Sequence, residues 1–213
     1  MYISEIAWCP NNPTSPRILI LGESHYDEDV KQGSINKHIT SRIVEYLLED
    51  NVTERWKEFF YNIAASFGYA KNNKDIREFY NKIYFANYVE ESCGKGDKNK
   101  AEIYIKEKRD YYNKAVFEFC NEKNINIICS FSKKAYYAFP KVDKEHGEQV
   151  SNFPISPNYT VGKTYYKGGL IYDRRIELKN DLLLYGLNHA SRSGYKRAYK
   201  FLSNEFKHHV ILK

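Results

Sequence analysis

The chain has 213 residues, 42% of them hydrophobic, and carries a formal net charge of +6. That length supports one substantial core and requires no second domain, so a single domain over residues 1–213 is expected. No apolar run approaches the roughly 18–20 residues of a membrane span, and Glu5 and Pro10 interrupt the stretch where a signal peptide needs apolar residues; no membrane partner and a cytoplasmic protein are the expectations.

Residues 8–16 hold three prolines and two asparagines and read as an extended lead-in. Arg17-Ile-Leu-Ile-Leu-Gly22 follows, an apolar run without polar alternation, which fits a strand covered on both faces and hence a parallel α/β sheet. It ends in Gly22, Glu23, Ser24, His25 and Tyr26. Residues 27–36 read as a polar loop, and Ile39, Ile43 and Leu47 predict a helix over 37–49. Asn51 with Glu54 forms a capping pair for a second helix that buries Trp56, Phe59, Phe60 and Ile63 as core residues. Residues 83–89 are the second strand, with Asn87 polar in an apolar and aromatic run. Residues 90–100 read as a polar, mobile loop, and 101–123 as a long helix burying Tyr112, Ala115, Val116 and Phe119. Residues 124–130 make the third strand, and Ser132 caps a short helix reaching Phe139. Residues 140–157 read as irregular and exposed. Short β-like runs in 159–178 flank a hairpin turn at Lys167-Gly168-Gly169. The Leu-rich run 181–187 is the fourth strand, ending in Asn188, His189, Ala190, Ser191, Arg192 and Ser193. Gly194 opens a final helix that buries Tyr195, Ala198, Tyr199, Leu202 and Phe206.

The expected fold class is α/β, a three-layer α/β/α arrangement with a central four-stranded, mainly parallel sheet plus a small β-hairpin. In such sheets ligands bind beyond the carboxyl ends of the strands, so the polar residues ending the first, second and fourth strands converge on one edge. Cys9, Cys93, Cys120 and Cys129 are widely spaced without a Cys-x-x-Cys pair, which fits reduced structural thiols. The 33 basic residues are interleaved with 20 tyrosines and 12 phenylalanines, a combination that suits a polyanion partner and base stacking. An AT-rich genome also accounts for abundant Tyr, Asn and Lys.

These strand ends, taken in order, resemble the uracil-DNA glycosylase superfamily over most of the chain, from Ile18 to about Phe206. Gly22-Glu23-Ser24-His25-Tyr26 is similar to the superfamily's Gly-led water-activating loop, commonly Gly-Gln-Asp-Pro-Tyr or Gly-Glu-Ala-Pro-Gly. Asn87 matches the strand asparagine that reads a pyrimidine edge. Ile127-Ile128-Cys129-Ser130-Phe131-Ser132-Lys133-Lys134-Ala135 matches a third strand and short helix, and His189-Ala190-Ser191 matches a His-Pro-Ser loop. There are departures. Ser24 stands where the best-known branch has its catalytic aspartate, and His25 replaces the usual proline. Ala190 replaces a proline and is expected to loosen its loop, and the paired cysteines of an iron-sulfur branch have no counterpart beside Cys9. The resemblance therefore implies a glycosylase without metal or organic cofactor, in which Glu23 supplies the carboxylate.

The chemistry implied is N-glycosidic cleavage of a uracil-related, damaged or modified pyrimidine flipped out of single- or double-stranded DNA. Positive character develops on the sugar and negative charge on the departing base. Glu23 would stabilise the sugar and orient water, while His189 would donate a hydrogen bond to the base. His25 is a further proton-handling candidate, with a stacking or structural role left open. Asn87 would read the base and Tyr26 would wall the pocket. Gly22, Ser24, Ser130, Ser191 and backbone amides would bind substrate or phosphate, and Arg192 or Tyr195 would fill the vacated stack. His208 and His209 are expected at the surface, not as metal ligands. A DNA-repair glycosylase acting as a monomer is the leading expectation. A catalytically inactive DNA-binding module of the same fold and a hydrolase of small nucleosides are the alternatives.

Overall fold

The computed structural model of the chain describes residues 6–25, 31–49, 56–94, 100–142, 145–156, 159–171, 176–190, 194–209 and 211–213. Among these, the main sheet has six strands in the order β2-β1-β3-β8-β5-β4. They are β1 (Ile18–Gly22), β2 (Tyr84–Asn87), β3 (Ile127–Ser130), β4 (Gly147–Ser156), β5 (Tyr159–Tyr166) and β8 (Leu182–Gly186). The four strands read from the sequence, β2, β1, β3 and β8, pair in parallel, so their carboxyl ends share one edge. β5 and β4 extend the sheet antiparallel beyond β8. The expected four-stranded sheet is therefore six-stranded and mixed. Residues 140–157, expected to be irregular, contain the long strand β4. The turn at Lys167-Gly168-Gly169 leads from β5 into β6 (Gly169–Ile171), which pairs with β7 (Ile176–Leu178) in a separate two-stranded sheet.

Strand β1 is the sheet's anchor. Ile18, Leu19, Ile20 and Leu21 are all fully buried, at about 1.5–3 kcal/mol for each side chain taken from water. Their alternation splits the core in two. Leu19 and Leu21 join Tyr84, Ala86, Ile128 and Leu184 under α4 (Lys100–Lys123) and α5 (Lys133–Ala138). Ile18 and Ile20 join Phe85, Cys129 and Tyr185 under α1 (Ile39–Leu48), α2 (Lys57–Ala65), α3 (Asn73–Tyr80) and α6 (Gly194–Glu205). The lead-in covers the outer edge of β2: Trp8 and Phe85 exchange backbone hydrogen bonds of 2.8 and 3.2 Å, which blunts an edge otherwise open to further pairing.

Helix α3 was not among the expected elements, although its cap is written locally: Asn72 accepts a hydrogen bond from the Asp75 amide at 2.9 Å. The Ser132 cap of α5 has the expected form, its hydroxyl accepting from the Ala135 amide at 3.2 Å. The pair Asn51 and Glu54 lies outside the described residues. Residues 88–94, assigned in part to a polar loop, are all buried, because they continue the pairing of β2. Tyr88 and Val89 amides donate to Gly22 and Glu23 carbonyls at 3.0 and 2.9 Å, the Cys93 amide donates to the His25 carbonyl at 3.1 Å, and Ser92 pairs with Ser34 on its other side. Four free cysteines are present, Cys9 exposed and the other three buried.

Helix α5 is seated by two facing glycines. Gly162 and Gly186 are register partners across β5 and β8, and a Cβ on either would fall 2.2–2.3 Å from the Tyr136 ring. The Tyr136 hydroxyl reaches Thr164 Oγ1 at 3.0 Å beyond the slot. Gly186→Ala is expected to lose about 2 kcal/mol or more in urea denaturation. In a Tyr136→Ala background the same change should cost less than about 1 kcal/mol, and equal costs in both backgrounds would show that the ring is not the obstacle.

Candidate active site

The carboxyl edge of β1 is built around a missing side chain. Gly22 pairs with Asn87, and a Cβ on Gly22 would lie 2.3 Å from Asn87 Oδ1. The glycine therefore lets the asparagine fold back over the strand end. Asn87 Nδ2 then reaches His25 Nδ1 at 3.4 Å. With the amide as donor, His25 Nδ1 accepts and its proton resides on Nε2. Both side chains are buried. Asn87 and His25 thus form one polar unit.

Glu23 projects from the same turn, half-buried. Its Oε2 accepts a hydrogen bond of 2.7 Å from Ser132 Oγ, the hydroxyl that also accepts from the α5 amide. The capping serine therefore fixes the carboxylate, a function not apparent when Ser132 is read as a cap alone. The Glu23 charge is felt on both sides: it pushes up the pKa of Cys93, whose main shift upward comes from burial, and it opposes the downward shift of His189. Ser24 sits between, its hydroxyl beside the Cys93 thiol.

His189 follows β8 and stacks on Phe59 of α2, with ring centroids 4.6 Å apart and planes inclined by 27°. The residue as a whole is exposed, but desolvation of the ring where it packs lowers its pKa from the ordinary value, with Glu23 as the partial counterweight. The shift favours the neutral ring, which can donate one N–H. Phe59 was expected only as a core residue; its contact spans 130 positions of sequence, which no local pattern encodes. The next residue, Ala190, is buried in the core beside α2 and α6. The loop beyond it, which the replacement of proline by Ala190 is expected to loosen, lies outside the described residues.

Other sequence-predicted residues fall elsewhere. Ser130 is fully buried, and its hydroxyl donates to the Ser132 carbonyl at 3.0 Å, which ties β3 to α5. The Tyr195 ring receives the Lys71 ammonium at 4.1 Å from its centroid. Tyr26, Ser191 and Arg192 lie outside the described residues. His208 is exposed and His209 packs edge-on to Phe206 at 5.4 Å. Among the described residues no group of three or more His, Cys, Asp or Glu is placed to hold a metal ion, and no helix is long and apolar enough to cross a membrane.

Near Cys93 lies a buried acidic pair, Glu90 and Glu91, in the segment expected to be a polar loop. Glu91 accepts from Lys108 Nζ and from the Tyr112 hydroxyl. Glu90 accepts from the Tyr111 hydroxyl at 3.0 Å, while its Oε1 is buried without a hydrogen-bond partner among the described residues. Burial raises the Glu90 pKa, an effect that Tyr111 opposes and Glu91 reinforces. The phenol of Tyr111 is in turn pushed up to about 12, first by burial and then by Glu90.

Comparison with protein-family models, with curated proteins and with solved structures gives no match. The resemblance to uracil-DNA glycosylases therefore rests on the motifs alone.

Two titrations probe this edge. The His189 imidazole, followed by NMR, should titrate below 6.5; Phe59→Ala should move its midpoint up and Glu23→Gln should move it further down. An unshifted midpoint in both variants would remove the claimed environment. For Glu90, the folded state holds its proton more tightly than the unfolded chain, so stability falls as pH rises above about 4.5 through the folded-state pKa. Glu90→Gln is expected to match the wild type at pH 4 and to exceed it at pH 8. A gain of about 1 kcal/mol would appear as roughly 2–4 °C in Tm.

Proposed function

We propose that the chain is a DNA glycosylase-like N-glycosyl hydrolase acting on a uracil-related, damaged or modified pyrimidine, with residues 1–213 forming one α/β/α domain of the uracil-DNA glycosylase type. The observation that carries this reading is that one sheet edge holds both a carboxylate fixed by the Ser132 hydroxyl and an imidazole stacked on Phe59. Glycosidic cleavage needs both. As the bond to the base lengthens, the sugar gains positive character, which the fixed Glu23 carboxylate stabilises while orienting water toward the anomeric carbon. The base departs with negative charge, and a neutral His189 N–H is a hydrogen-bond donor matched to that anion. The Asn87–His25 unit closes the side of the edge formed by β1 and β2 and presents polar groups to a pyrimidine's Watson-Crick edge. No metal or organic cofactor enters this chemistry, and a cytoplasmic, monomeric repair enzyme is the setting it fits.

A second reading, a DNA-binding module without catalysis, draws on Ser24. That residue replaces the acid of the best-known branch, and its hydroxyl sits beside a thiol instead of a reacting atom. The two readings separate cleanly. Incubation with duplex and single-stranded oligonucleotides carrying varied pyrimidines, followed by mass spectrometry, is expected to show one released base. Glu23→Gln and His189→Ala should each lower that release by about 100- to 1,000-fold. Salt-sensitive binding with no base released from any substrate would establish the module instead.

A further inference from the structure

Ser132 serves two partners at once, and the chemistry of a hydroxyl dictates how. A serine side chain owns a single hydrogen. Its oxygen already accepts the Ala135 amide at 3.2 Å, and its hydrogen goes to Glu23 Oε2 at 2.7 Å. The direction of the chain is therefore set, from amide to hydroxyl to carboxylate. A hydroxyl polarised by an amide on one side is a stronger donor to a carboxylate on the other than a hydroxyl standing alone.

The frame around the serine leaves it little room to drift. Ser132 is 2% exposed, and its carbonyl accepts the Ser130 hydroxyl and the Tyr136 amide, each at 3.0 Å. One residue earlier the Phe131 amide donates to the Leu21 carbonyl at 2.9 Å. The serine is thus tied back to β1, the strand whose end carries Glu23. Glu23 is half-buried, and among the described residues the bond from Ser132 is its one side-chain hydrogen bond. Its two oxygens are therefore unequal: Oε2 is held, and Oε1 is left for water and the sugar. With Ser24 in place of an acid, the turn has one carboxylate to orient.

We propose that Ser132 is a positioning residue for base release, and that the hydrogen it gives to Glu23, not its cap on α5, is what the reaction requires. The proposal rests on the reading of Glu23 as the carboxylate that orients water. By occupying Oε2, the hydroxyl stops the carboxylate from turning, so that Oε1 faces the water in one direction. A reacting group held in this way loses less rate to misorientation than one that rotates freely.

The test uses variants that keep the cap and lose the hydrogen. Aspartate caps a helix as well as serine does, and glycine falls little behind, but neither offers Glu23 a hydroxyl hydrogen. On the oligonucleotide from which wild-type protein releases a base, Ser132→Gly and Ser132→Asp should lower kcat by about 10- to 100-fold, with KM within about 3-fold of wild type. Ser132→Thr keeps both hydroxyl and cap, and should hold kcat within about 3-fold. Full activity in Ser132→Gly or Ser132→Asp shows that the cap alone is needed and overturns the proposal. A loss of rate that follows the melting temperature through all three variants overturns it as well. A second readout needs no turnover: the Glu23 carboxyl carbon, assigned in carbon NMR by its disappearance in Glu23→Gln, should shift in Ser132→Gly and return in Ser132→Thr. An unmoved resonance removes the contact and the proposal. Wild-type protein that releases no base removes the glycosylase reading and the kinetic role with it, whereas base release that ignores Ser132 removes this proposal alone.

Discussion

The candidate site depends on the contact between Gly22 and Asn87. An asparagine at the end of β2 would clash with any larger residue opposite it, and no other side chain at position 22 leaves room for its amide. Once folded back, Asn87 engages His25 and the backbone turns outward, which sends Glu23 toward Ser132. The same turn continues the pairing of β1 through Val89 and Cys93. One absent methyl group therefore sets the directions of three polar side chains. Packing supplies the rigidity: the residues before the turn are fully buried on both faces of the sheet, and a dense interior transmits position with little slack.

Much of this arrangement can be read in the chain, and the rest is hidden for identifiable reasons. Strands β1 and β8 announce themselves as unbroken Ile and Leu runs because parallel strands are buried on both faces. Ser132 declares its cap because the serine, and the amide three residues on, are local. Strand β4 is missed because its sequence, Gly147-Glu-Gln-Val-Ser-Asn-Phe-Pro-Ile-Ser156, is polar and interrupted, as suits the outermost position of an antiparallel extension. The burial of Glu90, Glu91, Ser92 and Cys93 cannot be seen at all from a run of charged and small residues. It arises from pairing with residues near 25 and 34, and only the assembled sheet supplies those partners.

The same distinction governs the site. Glu23, Asn87 and His189 are visible because each follows an apolar run, and a parallel sheet gathers such positions at one edge. Their working environment is not visible. Phe59 acts on His189, and Ser132 on Glu23, through contacts more than 100 residues apart. Ser130 illustrates the converse: its placement at a strand end suggests ligand contact, yet its hydroxyl turns inward to secure the next helix.

The strand order carries a kinetic consequence. β1 lies between β2 and β3, and its pairing of Leu21 with Ser130 joins segments separated by more than 100 residues, while β8 completes the parallel edge only near the end of the chain. Contacts of such long range are slow to form because the entropy of closing the loop is lost before the contact energy returns. The helices between them draw on local hydrogen bonds and precede them. The edge that holds Glu23 and His189 is therefore complete only once the final strand of the chain has docked.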